Sequence, residues 1–156
     1  MAPTEVDTVY RHTHVHGVVH DENAHAMGGV AGHAGLFSTA ADLSRFARMM
    51  VNRGATPERR LLGQETVETF TRGQSGSDRA LGWQKPTARN IGAPFSASAF
   101  GHTGFTGTSL WMDPERDLYV VLLTNRVNPT RAQGGVSDLR RTVHALAVRA
   151  AAAGAL

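Results

Sequence analysis

The sequence predicts an α/β fold of the α+β type, an antiparallel sheet with helices packed on it. Three observations predict it. Leu43, Phe46, Ala47 and Met50 recur at helical spacing. Residues 99–123 hold short apolar runs separated by a glycine-rich corner and a proline turn. Leu139, Val143, Leu146 and Ala150 then repeat as one apolar stripe of a final helix. Helices, then clustered strands, then a helix is the order of a sheet with helices laid against it.

In chain order, residues 1–35 are rich in Gly, His, Asn and Asp and read as a long segment dominated by loops. Thr39-Ala40-Ala41-Asp42 resembles a capping box, because the threonine hydroxyl can accept from a backbone N–H of the first turn. Asn52-Arg53-Gly54 supplies the helix stop. A shorter helix is expected over Gln64 to Phe70, and the run from Thr71 to Arg79 has the composition of a mobile loop. Ala80 to Lys85 reads as a short strand ended by Pro86. Ala99 to Thr103 and Thr108 to Met112 are strand candidates, and Asp113-Pro114-Glu115-Arg116-Asp117 is a turn with proline at its second position. Leu118 to Leu123 follows without alternation, which predicts a strand covered on both faces. Ser137 is the expected cap of the last helix. With no internal repeat and no linker, residues 1–156 read as one domain or one piece of a domain.

Composition narrows the function. The chain is 41% hydrophobic and 19% charged, ordinary values for a globular chain able to bury a core. The formal charge is +3 and the sequence pI is 10.2, yet the arginines form no stripe and no aromatic residues interleave with them. A nucleic-acid partner is therefore not expected. Absence of cysteine removes disulfides and thiolate metal sites. No apolar run approaches membrane-spanning length, and residues 1–10 lack the basic start and apolar core of a signal peptide.

The most informative stretch is Gly101-His102-Thr103-Gly104-Phe105-Thr106-Gly107-Thr108. It resembles the His-x-Gly wall of penicillin-recognising serine hydrolases. Gly32 to Phe46 is similar to the family's loop-into-helix segment, Leu118 to Asn125 to its last core strand, and Asn128-Pro129-Thr130-Arg131 to the turn after it. Ala2 to Asp7 and His20-Asp21-Glu22-Asn23 resemble carboxypeptidase-type members. On this order and spacing the chain resembles the serine β-lactamase, D-Ala-D-Ala carboxypeptidase and esterase superfamily, in its class C-like branch. The resemblance lies in the family's C-terminal half. It implies a partial β-lactamase/transpeptidase-like fold over 1–156, without the N-terminal strands and nucleophile helix. Lys85 is the only lysine and position 82 is Gly, so no Ser-x-x-Lys exists here, and neither tyrosine has Asn two positions on. Met1 then falls inside the domain, which suggests a truncated or internally started reading frame. The chain alone is expected to be inactive, with the missing N-terminal half as its partner. A complete parent would be periplasmic or extracellular.

The resemblance implies a catalytic contribution from His102, Gly104 and Phe105. Acyl transfer requires fixed N–H donors where charge develops on the carbonyl oxygen. The Phe105 N–H is expected to be one and the nucleophile's own N–H the other. His102 would sit beside the nucleophile and tune local charge. Thr103 and Thr106 flank the same strand end as substrate contacts. Asn128 and Arg131 combine an amide donor with a cation, which suits a substrate carboxylate, although Asn-Pro-x-Arg is also an ordinary turn. His33, Asp21 and Asn23 are expected at the pocket rim, or as loop residues that satisfy backbone N–H groups. The substrate would be a cell-wall peptide, a β-lactam or a small ester, with no cofactor and no metal. The alternative is a non-catalytic module, either a binding remnant or a metal-binding piece using His12, His14 and His16. Those three histidines share one face of an extended segment, and the resemblance gives them no role.

Overall fold

The computed structural model describes residues 1–92 and 95–155. The first thirty-five residues hold more order than their composition suggests. Strands β1 (Val6–Asp7) and β2 (Thr13–His14) pair antiparallel, with Val6 opposite His14, and helix α1 spans Glu22–Ala26. Asp7 makes the connection possible. Its buried carboxylate accepts from the N–H groups of Val9, Tyr10 and Arg11 at 3.0, 2.8 and 3.1 Å, replacing the ladder bonds that the turn loses.

Helix α2 covers Ala40–Val51 and starts as its sequence predicts. The Thr39 hydroxyl accepts from the Asp42 N–H at 3.2 Å, and Gly54, at φ 89°, returns its N–H to the Met49 carbonyl. Helix α3 covers Gln64–Thr71 and buries Val67. The expected strand over residues 80–85 is a tight turn instead. The Ala80 N–H bonds the Trp83 carbonyl, and Gly82 takes φ 80°. Gln84 bridges both Arg79 and Gly101, and the Leu81 and Lys85 N–H groups bond the Phe70 and Asp78 carbonyls.

The main sheet has the order β3-β4-β5, formed by Phe100–Thr103, Ser109–Asp113 and Leu118–Leu122, all antiparallel. Phe100 lies opposite Met112, and Met112 opposite Tyr119; with Leu110 they form one face. That face meets Ala47, Met50 and the rest of the α2 core, with Trp83 closing its edge. The other face carries Gly101, Ser109, Trp111 and Leu118 under α4, which spans Val136–Ala152. β5 is therefore flanked by helices on both faces. Only Leu118 is buried along it, however, because no strand pairs with its outer edge among the described residues.

Helix α4 departs from expectation in two ways. Its cap is Gly135, at φ 85° and without a side-chain hydrogen bond, rather than Ser137. Its buried face is Arg140, His144 and Val148, whereas Leu139 and Leu146 are exposed. The reason is polar. Arg140 reaches under the sheet to the carbonyls of Gly104 and Thr108, and His144 packs its ring against Phe95 with Nε2 near Ser109. These contacts set the helix rotation, and the leucines are carried round to the flank.

Candidate functional site at the end of strand β3

The site is built where β3 runs out of partners. Gln84 and Gly101 exchange both backbone hydrogen bonds, at 2.8 and 3.1 Å. By the alternation of antiparallel pairing, the N–H and C=O of Thr103 point to that same outer side, where no strand continues among the described residues. Gly101 is required here because any Cβ would collide with the Trp111 ring and the Leu110 carbonyl. The corner that follows is equally constrained. Gly104 donates to the Thr108 carbonyl at 2.7 Å, and Gly107 sits at φ 128° with Thr124 oxygen 2.7 Å from where a Cβ would stand.

Phe105 projects from this corner. Its carbonyl accepts from Arg126 Nε at 2.7 Å, and the Arg126 guanidinium lies 4.3 Å from the ring centroid. The His20 ring stacks on the same phenyl group at 5.8 Å. Among the described residues the Phe105 N–H has no acceptor. Thr106 fixes the strand behind it by accepting from the Arg126 N–H at 2.8 Å. His102 is exposed on the α2 side. Its Nδ1–H donates to the Thr103 carbonyl at 2.9 Å, so Nε2 is the acceptor, 3.3 Å from Arg79 Nη1.

Arg131 and Asn128 lie in the turn after β5, and the chain itself occupies them. Arg131 donates to both oxygens of Glu5, through Nε at 2.8 and 2.9 Å, and through Nη2 at 2.6 Å to Glu5 and to Glu22. These bonds hold the Glu5 carboxyl at about 2, well below its ordinary range, and raise the guanidinium further above its own. Glu5 also accepts from His20 Nε2 at 2.9 Å, so one carboxylate connects Arg131 to the ring stacked on Phe105. Asn128 donates to the Pro3 carbonyl at 3.3 Å and lies 3.2 Å from His14 Nε2.

The rim candidates group on α1. Asp21 is its cap, accepting from the Ala24 N–H at 2.8 Å and meeting His33 Nε2 at 3.0 Å, both of which lower its pKa. Asn23 is exposed two residues further on, and Glu22 between them joins α1 to Arg131. The histidine series does not converge: His14 faces Asn128 while His16 faces the Met1 carbonyl, and no metal-holding cluster occurs among the described residues. Sequence reading gave no role to Glu5, His20, Arg126 or Arg140. Glu5 meets Arg131 126 positions away, His20 meets Glu5 at 15, Arg126 meets Phe105 at 21 and Arg140 meets Gly104 at 36, separations over which no local pattern signals a partner.

The fold and this strand end have the form of a serine β-lactamase-type domain, and comparison with known proteins agrees. The Beta-lactamase family model matches residues 2–144, and the chain belongs to that family. It is 42% identical over 117 residues to a Bacillus subtilis protein named "N-acetylmuramyl-L-alanine amidase", covering 70% of this chain and 26% of that protein. It is 38% identical over 119 residues to a "Putative D-alanyl-D-alanine carboxypeptidase" of Escherichia coli K12, covering 70% and 27%. The chain thus spans about a quarter of these relatives. In fold it is similar to a solved chain titled "Crystal structure of putative beta-lactamase from Bacteroides dorei DSM 17855". The TM-score is 0.54 at 19% identity, covering 87% of this chain and 46% of the other.

Proposed function

We propose that residues 1–156 are the C-terminal portion of a single serine hydrolase domain, supplying one wall of an acyl-enzyme active site. The observation that carries this reading is the Phe105 N–H, which has no acceptor among the described residues, at the open end of β3. An oxyanion needs such a donor fixed before the reaction, and here the ring and carbonyl of the same residue are held by His20 and Arg126. The serine nucleophile and its lysine or tyrosine base would come from the part of the domain absent from this sequence. His102 faces the space beside that nucleophile, with Nε2 as an acceptor. Thr103 offers its outward backbone groups to an extended acyl substrate, and Thr106 and Gly104 keep the corner in shape. Arg131 and Asn128 support the wall from below, and Asp21, Asn23 and His33 form the rim. The substrate class is a D-Ala-D-Ala peptide, a β-lactam or a small ester, in a periplasmic or extracellular setting. The names of the curated relatives support the peptide.

The test is a chimera in which residues 1–144 replace the matching stretch of the Escherichia coli relative. Hydrolysis of nitrocefin, p-nitrophenyl acetate and a D-Ala-D-Ala peptide is then measured. We expect turnover in the chimera, and His102→Ala to lower kcat/KM more than about tenfold, a loss above about 1.4 kcal/mol. A folded chimera whose turnover is indifferent to His102→Ala, but lost on His14→Ala, would reverse the assignment.

A further inference from the structure

Helix α4 is seated on the sheet by two basic groups that the proposed chemistry leaves unused. Arg140 is 7% exposed, and its Nη2 donates to the carbonyls of Gly104 and Thr108 at 2.6 and 2.7 Å, so the helix holds both ends of the corner after β3. His144, one turn further on, is fully buried. Its Nδ1–H donates to the Arg140 carbonyl at 2.6 Å, which leaves Nε2 as the acceptor, facing the Ser109 hydroxyl at 3.5 Å. The Phe95 ring closes the other side, 6.0 Å from the imidazole and 6.2 Å from Trp111.

This seat accommodates one positive charge, because no carboxylate pairs with Arg140 or His144 among the described residues. β4 presents Ser109 and Trp111 to the helix. Asp113 shares that face roughly 14 Å along the strand from Ser109, where Ser96 and Arg116 hold it. β5 contributes no charged residue. Arg140 shares a hollow with Asp78 and Arg89, and Asp78 lies against Arg79 at 3.6 Å. On the helix itself Asp138 is bound to Arg141, and Arg149 is exposed. Arg126 adds only a further positive field at Arg140. Burial pushes the His144 imidazole below its ordinary range, the bond to the Arg140 carbonyl opposes that shift, and the Arg140 charge adds to it.

We propose that His144 and Arg140 make α4 an acid-operated latch: the neutral imidazole keeps the helix seated, and its protonation releases the helix together with the corner from Gly104 to Thr108. A proton on Nε2 stands one helical turn from a buried guanidinium with no anion to share, and exposure to water relieves both charges at once. The sign follows from linkage. Released, His144 titrates at its ordinary 6.5; seated, it titrates lower, so the seat is complete above pH 6.5 and is lost progressively below it. That window lies above the one set by Glu5, whose carboxyl stays ionised down to about 2. The latch does not rest on the hydrolase reading, because neither residue takes part in acyl chemistry. Where that reading holds, acid loosens the corner that carries the Phe105 donor.

The test is hydrogen exchange of the dilute 156-residue chain, read by mass spectrometry at pH 7.5, 6.5 and 5.5 and corrected for the intrinsic rate. Protection of residues 140–148 and 104–108 should fall about tenfold between pH 7.5 and 5.5, the ratio for one proton taken up by a group of ordinary 6.5. Residues 47–51 of α2 should keep theirs. His144→Gln carries no titrating group and should give α4 the same protection at all three pH values, whatever its level. The exposed His25→Gln should retain the full acid response. Equal α4 protection at pH 7.5 and 5.5 in the unaltered chain, an α2 that loosens in parallel with α4, or an undiminished response in His144→Gln would each overturn the latch.

Discussion

Glu5 carries more of this molecule than its position near the start suggests. It is 6% exposed and accepts from Arg131 and His20, joining the first strand to the turn after the last one. Through His20 it also bears on Phe105, so a residue to which the sequence assigned no role helps hold the proposed oxyanion donor. Because its folded pKa lies near 2 against an ordinary 4.5, its contribution to stability is complete above about pH 4.5 and disappears as pH falls toward 2. Asp7, Asp21 and Glu22 are shifted in the same direction and steepen the same loss. Glu5→Gln should therefore cost about 2 kcal/mol at pH 7, the scale of hydrogen bonds to charged groups, and flatten the pH dependence between 5 and 2. Urea denaturation across that range measures both, and a variant with the parent's full acid dependence would show that Glu5 is not the group responsible. None of this was legible beforehand: the 126 positions between Glu5 and Arg131 leave no periodicity to read. The end of β3 was legible, because its glycines, histidine and threonines are contiguous and their spacing is itself the geometry.

Elements whose boundaries are set by neighbouring residues were readable in the same way. Thr39 caps α2 through its own hydroxyl, and Asn52 to Gly54 ends it through backbone bonds within the same turn. Elements oriented by distant contacts were not readable. α1 and the β1–β2 pair depend on Asp7 and Asp21 satisfying loop N–H groups, which composition registers only as polarity. The rotation of α4 follows from Arg140 and His144, two polar residues that hydrophobic periodicity places on the outside. The consequence is measurable. Leu139→Gln with Leu146→Gln should change the stability of the dilute chain by less than about 0.5 kcal/mol, as for other exposed sites. Val148→Ala should cost about 2 kcal/mol, because it opens a cavity under the sheet. The reverse ranking by urea midpoint would mean that α4 packs on its leucine stripe in solution, and that Arg140 does not set the helix rotation.

At the scale of the whole molecule, two apolar surfaces stand uncovered among the described residues, the outer edge of β5 and the leucine flank of α4. Arg141, on the opposite flank of α4, donates to the Arg89 carbonyl at 3.4 Å, while Leu139 and Leu146 stand exposed on the other flank. β5 carries no charge, proline or bulge along Leu118–Leu122, so nothing blocks another strand from pairing with it. The solved chain of similar fold is more than twice as long as the stretch of it matched here. The 156-residue chain by itself should therefore self-associate as concentration rises, with apolar strand and helix surface as the adhesive. Sedimentation velocity over a concentration series should show growth in mass. Leu123→Lys with Leu146→Lys, both at exposed positions, should return the chain to a monomer without loss of secondary structure. On the proposed reading neither form should hydrolyse nitrocefin above background, since neither contains a Ser-x-x-Lys. A parent chain that stays strictly monomeric at all concentrations and melts in one sharp transition would show that β5 is a finished edge, and the partial-domain reading would fall with it.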